Sequence, residues 1–388
     1  MTTGEHGAPM TAGRTVSDGA VSRRAPGKLY VAGEYAVVEP GHRAVLVAVN
    51  RFITVTVSPV HDSGRRSGRI ASSLYAGGTR SWRRRPEDGT ALVEGAPVDY
   101  VLSAIRLVES LVRERGGELR LFDLDVDSQL DDASGRKLGL GSSAAVTVAT
   151  VRSVAAFYGL RLTDTEVYKL CLLASDSVEP IGSAGDLAAS TFTGWVDYSS
   201  PDRIWMREER VERSVDDMLL ADWPGLRIER LEPPVGVDLL VGWTGDPAST
   251  AGLVADVQHG AHSAAPAALD YEEFLAGSQA CLAGLVRSME SGDLDAVAAR
   301  VQEDRTLLAG LAASTGVTIE TPLLTRLVEI AREHGAAAKS SGAGGGDCGI
   351  ALCPPHVDER AILAGWMAVG VVPLDLAIHT RDPRTEDR

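Results

Sequence analysis

Long apolar runs are absent from this chain of 388 residues. No stretch approaches the ~18 apolar residues that a membrane-spanning helix needs, which excludes a helical membrane protein. Cysteine is scarce: there are four, Cys171, Cys281, Cys348 and Cys353, and no two form a C-x-x-C pair. That excludes a disulfide scaffold and suits reduced, mostly buried thiols in a cytoplasmic protein. Positive charge is short as well, with 38 Lys and Arg against 53 Asp and Glu. The net charge of −15 makes the chain a poor partner for nucleic acid or an anionic membrane surface. Histidine offers one close pair, His259 and His262, on a polar helical stretch where solvation is the expected role and metal ligation the weaker one. No Ser/His/Asp order has a G-x-S-x-G context, and no internal repeat is present. Residues 1–22 are polar, lack an apolar core and read as a loose extension, not a signal peptide.

What is present is the composition of a folded protein, 44% hydrophobic, at a length for which two domains are the natural expectation. Strand signals run from Arg51 to Val57 and over Phe122, Leu124 and Val126, which alternate with Asp123, Asp125 and Asp127. That D-x-D-x-D run lacks the glycine and closing Glu of a calcium loop, so a half-buried strand explains it better. Helical spacing marks 98–115, 143–158 (ended by Gly159) and 163–178, the last with Thr163 and Glu166 as a capping box. The acidic, irregular stretch from Trp205 to Pro234 is the expected boundary, dividing 23–225 from 226–388. Beyond it come the apolar strand VGVDLLVGWT, helical segments near 269–290, 292–313 and 321–334, and two more short strands. Helices mixed with non-consecutive strands point to an α+β architecture, not a doubly wound parallel sheet. One basic island, RRSGRIASSLYAGGTRSWRRR at 65–85, is expected to be a solvated hairpin; the other reading is a rim that draws in an anionic substrate.

Four short stretches carry candidate chemistry. The loop Gly139-Leu140-Gly141-Ser142-Ser143 runs into the helix expected over 143–158, and a helix amino end so approached by bare backbone favours an anion. It lacks the lysine of a Walker A loop and the strand–GxGxxG–helix context of a dinucleotide site. By itself, a glycine turn with a serine N-cap is at least as good a reading. A second glycine loop, Ser340-Ser341-Gly342-Ala343-Gly344-Gly345-Gly346-Asp347, shifts the balance, because three consecutive glycines are entropically costly and point to close approach of a ligand. Lys28 follows Ala25-Pro26-Gly27, expected as a rigid turn that fixes the ammonium. Asp186 follows Gly182-Ser183-Ala184-Gly185, where substrate could reach a carboxylate, although singly it reads as an N-cap or turn residue.

Taken in order, APGKLYVAGEYAVV, GLGSSAA and SGAGGGDCGIAL resemble the three motifs of the GHMP kinase superfamily, over about residues 23–380. GWTGDPAST at 242–250 and a basic residue before the second motif, Lys137, resemble the phosphomevalonate kinase family within it. The resemblance implies a two-domain α+β fold: an N-terminal domain like ribosomal protein S5 domain 2 and a C-terminal ferredoxin-like α/β sandwich. It implies ATP and Mg²⁺ as cofactors. Gly139, Leu140, Gly141, Ser142, Ser143 and Ala144 would hold ATP phosphates, with Ser143 touching Mg²⁺ and Asp176 or Glu179 in the region of a second metal ligand. Lys28 and Asp186 would flank the transferred phosphoryl group. Lys137, Ser249, Ser341, Gly342, Ala343 and Gly344 would line the acceptor side. Phosphomevalonate is the implied acceptor. A kinase acting on an alcohol such as mevalonate or homoserine, or a non-catalytic ligand-binding regulator, is the alternative, and a homodimer stays open.

Overall fold

From Val21 the chain lays down a sheet before any long helix. Strands β1 (Val21–Ala32), β2 (Arg43–Pro59), β3 (Gly68–Ser72), β4 (Thr79–Arg84) and β5 (Ala91–Val93) precede helix α1 (Tyr100–Glu114) and strand β6 (Phe122–Ser128). Helices α2 (Ser142–Phe157), α3 (Asp164–Asp176) and α4 (Gly185–Phe192) follow, then β7 (Trp195–Ser199), α5 (Arg203–Glu212), α6 (Val215–Leu220) and β8 (Arg227–Leu231). The computed structural model describes residues 19–380 except 63, 73–77, 133, 247–249 and 264. Among the described residues these strands make one eight-stranded sheet, ordered β5-β4-β3-β6-β2-β7-β8, with β1 paired to β2. The alternation in β6 sorts as expected: Phe122, Leu124 and Val126 are buried, while the aspartates between them are not.

Helix α2 is the hub. It packs on β1 and β2 and against α1, α3 and α4, and Val148, Ala149, Val151 and Val154 are fully buried. Each valine so buried contributes about 1.5–3 kcal/mol, so the amino end of this helix sits on a rigid base. Gly159, in the left-handed region at φ 74°, stops it. The amides of Gly159 and Leu160 return to the carbonyls of Ala156 and Ala155 in a Schellman closure. Thr163 and Glu166 cap α3 reciprocally.

The second unit holds β9 (Asp238–Trp243), four helices, α7 (Thr250–Ser263), α8 (Ala265–Ser291), α9 (Leu294–Thr315) and α10 (Pro322–Glu333), then β10 (Ala337–Ser341), β11 (Cys348–Cys353), α11 (Glu359–Ala368) and β12 (Val372–Leu374). Its antiparallel sheet is ordered β10-β11-β9-β12. The expected boundary at 225/226 differs from the strand pairing. β8 extends the first sheet beside β7, and residues near the carboxyl end return to it, with His379 donating to Ala48 O at 2.8 Å. The stretch expected to be irregular contains α5, α6 and β8. Pro26-Gly27 is no turn either: β1 runs straight through it, and the register against β2 shifts between the two residues. A bulge accommodates a proline that cannot donate to the ladder.

A buried charge cluster closes the seam between the units. Lys339 on β10 is fully buried and bonds Glu34; its ammonium is 3.3 Å from Asp304 on α9. Asp304 also accepts from the Gly33 amide at 3.0 Å, and Glu34 from the Gly342 amide at 3.2 Å. Burial, with the Glu34 charge adding to it, pushes the Asp304 carboxyl up to about 7 even beside Lys339.

Candidate active site

The first glycine loop presents an open helix end. Gly141 is the N-cap of α2 in the left-handed region, and no side chain caps the helix. The expected alternative, a serine N-cap, is therefore not what forms, and the first-turn amides keep their affinity for an anion. Both glycines are needed for space as well as for φ. A Cβ at Gly139 would lie 2.6 Å from Cγ of Asp347, and one at Gly141 would lie 3.0 Å from Cε of Lys28. Strand β1 holds the loop in place: the Lys28 amide donates to Leu140 O at 2.9 Å, and its Nζ to Gly139 O at 3.3 Å.

Asp186 enters from α4, whose N-cap is Ala184 at φ 62°. Asp186 is thus inside the first turn and not the cap; one carboxylate oxygen accepts from the Leu187 amide at 3.0 Å. The backbone here comes so close to β1 that a Cβ on Gly185 would lie 2.8 Å from the Tyr30 hydroxyl. That hydroxyl is 2.7 Å from Ser183 Oγ. Burial first, and then the Asp186 carboxylate, raise the Tyr30 phenol well above its usual range, so it stays protonated.

These parts share one cavity of about 320 Å³. Lys28, Asp186, Lys137, Gly342, Ala343 and all six residues from Gly139 to Ala144 line it. Two candidates do not. Ser341 Oγ accepts from the Tyr30 amide and donates to the Tyr30 carbonyl, both at 2.9 Å, so it ties β10 to β1. Gly344 is pressed against α9's neighbouring loop, where a Cβ would lie 2.1 Å from Ile319 O. Ser249 lies outside the described residues, as do the side chains of His259 and His262. Of the two possible metal carboxylates, Asp176 is taken by Arg207, which reaches both its oxygens at 2.8 and 3.1 Å. Glu179 lines the cavity and accepts from the Tyr100 hydroxyl at 2.9 Å. Burial, with Glu179 adding to it, raises the Tyr100 phenol well above its usual range, so it stays protonated.

Sequence reasoning missed Tyr30, Tyr100 and Arg203 and took Asp347 only as the end of the second glycine loop; all four line the cavity. Tyr30 had a signal, since it is two residues from Lys28 on one strand and so points the same way. Tyr100 and Arg203 are brought in by tertiary packing alone. Among the described residues of the arginine island, none lines the cavity. Arg65 and Arg69 pair with Asp123, Arg80 with Asp99, Arg83 with Glu94, Arg84 with Glu109 and Arg85 with Asp88. Six of the seven arginines are thus structural partners of nearby carboxylates, Asp123 of β6 and Glu109 of α1 among them.

Family patterns match both units: the GHMP kinases N terminal domain over residues 99–194 and the GHMP kinases C terminal domain over 285–371. The chain is 43% identical to the phosphomevalonate kinase of Streptomyces sp. strain CL190 over 373 residues, covering 93% of this chain and 98% of that one. Among solved structures, the Lin0012 protein of Listeria innocua superposes with a TM-score of 0.83 at 32% identity, covering 93% and 98% of the two chains. Streptococcus pneumoniae phosphomevalonate kinase in complex with phosphomevalonate and AMPPNP superposes at 0.79 and 30%, covering 92% and 100%. With both units matched in order, and a relative this similar along almost its whole length, the chain belongs to the GHMP kinases and, within them, to the phosphomevalonate kinase family.

Proposed function

We propose that this chain transfers the γ-phosphoryl group of ATP to (R)-5-phosphomevalonate, giving 5-diphosphomevalonate and ADP on a route to isoprenoid precursors. The observation that carries this reading is the shared cavity: an uncapped helix end, two lysines and a carboxylate meet in one space. The pneumococcal relative, solved with phosphomevalonate and AMPPNP (an ATP analogue), has the same fold over its full length.

In this reading the amides from Gly139 to Ala144 take the ATP phosphates, and Lys28 and Lys137 offset the charge of two anions brought together. Bound Mg²⁺ would neutralise the phosphates. Among the described residues no cluster of three or more His, Cys, Asp or Glu could hold a metal ion. That fits Mg²⁺, which binds through one or two protein oxygens and otherwise through phosphate and water. In this reading Ser143 and Glu179, which both line the cavity, would supply the protein oxygens for it, and Asp176, held by Arg207, would not.

The acceptor's phosphate has a second pKa of about 6, so at neutral pH its oxygen is already largely ionised. A general base is then dispensable, and Asp186 serves to orient and to balance charge between Lys28 and the acceptor. Gly342 and Ala343 line the acceptor side without side chains that would obstruct it. The test is ADP release with ATP and Mg²⁺, offering phosphomevalonate, mevalonate and homoserine side by side. Turnover with phosphomevalonate alone is expected. Turnover with an alcohol would replace this acceptor, and silence with all three would favour a ligand-binding regulator.

A further inference from the structure

Arg203 is a cavity residue that the roles above leave unused. It is the first residue of α5, placed by its neighbour Asp202, whose carboxylate accepts from the amides of Ile204 and Trp205. Its side chain is only 13% exposed. Nη2 donates to Gly182 O at 3.2 Å, while Nε and Nη1 are buried without a hydrogen-bond partner. Asp176 lies 3.8 Å from Nη1, beyond hydrogen-bond reach, and Arg207 already holds that carboxylate. A guanidinium carries five N–H donors in a planar fork, and buried donors left unpaired are costly. Here the unpaired edge belongs to a residue on the cavity wall.

Its place in the cavity says which ligand it would meet. Lys28 and Lys137 sit by the phosphate loop. Arg203 sits by Gly182 and Ser183, which also line a recess of about 50 Å³ containing none of residues 139–144. That recess is walled mainly by Tyr35, Val37, Val38, Val254 and Ala343, surfaces suited to a short carbon skeleton. We propose that Arg203 binds an anionic group of the acceptor, phosphate or carboxylate, through a cavity-wall guanidinium that the protein hydrogen-bonds at Nη2 alone. The inference rests on the kinase reading given above.

The test compares the full chain with Arg203→Met, Arg203→Lys and Arg65→Met. Arg203→Met is expected to raise the KM for phosphomevalonate by about tenfold to a hundredfold, leaving the KM for ATP within twofold. Arg203→Lys keeps the charge and the Gly182 contact but not the fork, and falls between. Arg65→Met, which removes an ion pair with Asp123 away from the cavity, leaves both values near wild type. Mevalonate as a competing ligand separates the two anions. If Arg203→Met weakens its inhibition by the same factor, the carboxylate is the group bound; if inhibition is unchanged, it is the phosphate. An unchanged acceptor KM in Arg203→Met, or equal rises for acceptor and ATP in all three variants, would overturn the assignment alone. A wild-type chain that leaves phosphomevalonate unreacted would overturn it together with the kinase reading.

Discussion

The two glycine-rich loops look alike in sequence and do different work. In the first, Gly139 and Gly141 shape an uncapped helix end, and every residue from Gly139 to Ala144 faces the cavity. In the second, only Gly342, Ala343 and Asp347 do. The Ser341 hydroxyl is committed twice to the Tyr30 backbone, and Gly344 and Gly346 let the chain pass within a Cβ's reach of Ile319 O and Asp246 O. A glycine run thus signals close approach of something. Whether that is a ligand or the protein's own backbone depends on what the fold brings up to it.

The comparison breaks most sharply at Lys28. Lys28→Met removes a cation beside the first loop and is expected to cost about 10²–10³ in kcat, with the melting temperature little changed and a loss at least equal to that of Asp186→Asn. Equal acceptor binding with a far larger loss in Asp186→Asn would instead make Asp186 a base. The second loop should behave in the opposite way. Gly344→Ala puts a Cβ 2.1 Å from a backbone oxygen at φ +72°, and about 3 kcal/mol or more of stability should be lost in denaturant unfolding. A stable but inactive Gly344→Ala would erase the distinction.

Smaller effects sharpen it. Ser341→Ala leaves the Tyr30 amide and carbonyl unpaired, so stability should fall by about 1–3 kcal/mol while the acceptor KM stays within twofold; a large KM change would return Ser341 to the acceptor site. The junction behind the second loop is expected to respond weakly to pH. The folded pKa of Asp304, about 7, stands above its ordinary 3.8. Between those values the folded state holds the proton more tightly than the unfolded chain, so this group's contribution to stability falls as pH rises. Wild type should lose stability relative to Asp304→Asn from pH 4 to pH 7, measured by thermal melts across that range.

Features set by neighbours in sequence were legible. The Thr163–Glu166 capping box, the Phe122–Val126 alternation and the stop at Gly159 need only a few residues each, and all form as expected. The entry of the first glycine loop into a helix was legible for the same reason, although the N-cap is Gly141 and not a serine. What sequence could not separate is set by partners far along the chain. Asp176 and Glu179 are three residues apart and chemically equivalent, until Arg207 claims one and Tyr100 presents the other. Ser341 reads as a ligand-facing hydroxyl until β10 is laid beside β1. Pro26-Gly27 has the composition of a turn, but pairing with β2 on both sides of it makes it a bulge.

The most direct test of the account is a ³¹P NMR spectrum of ATP, Mg²⁺ and phosphomevalonate incubated with the full chain. The account predicts that the phosphomonoester resonance decays as a new diphosphate pair appears, one for each ADP formed. ADP accumulating while the phosphomonoester resonance stays intact would contradict transfer to that acceptor.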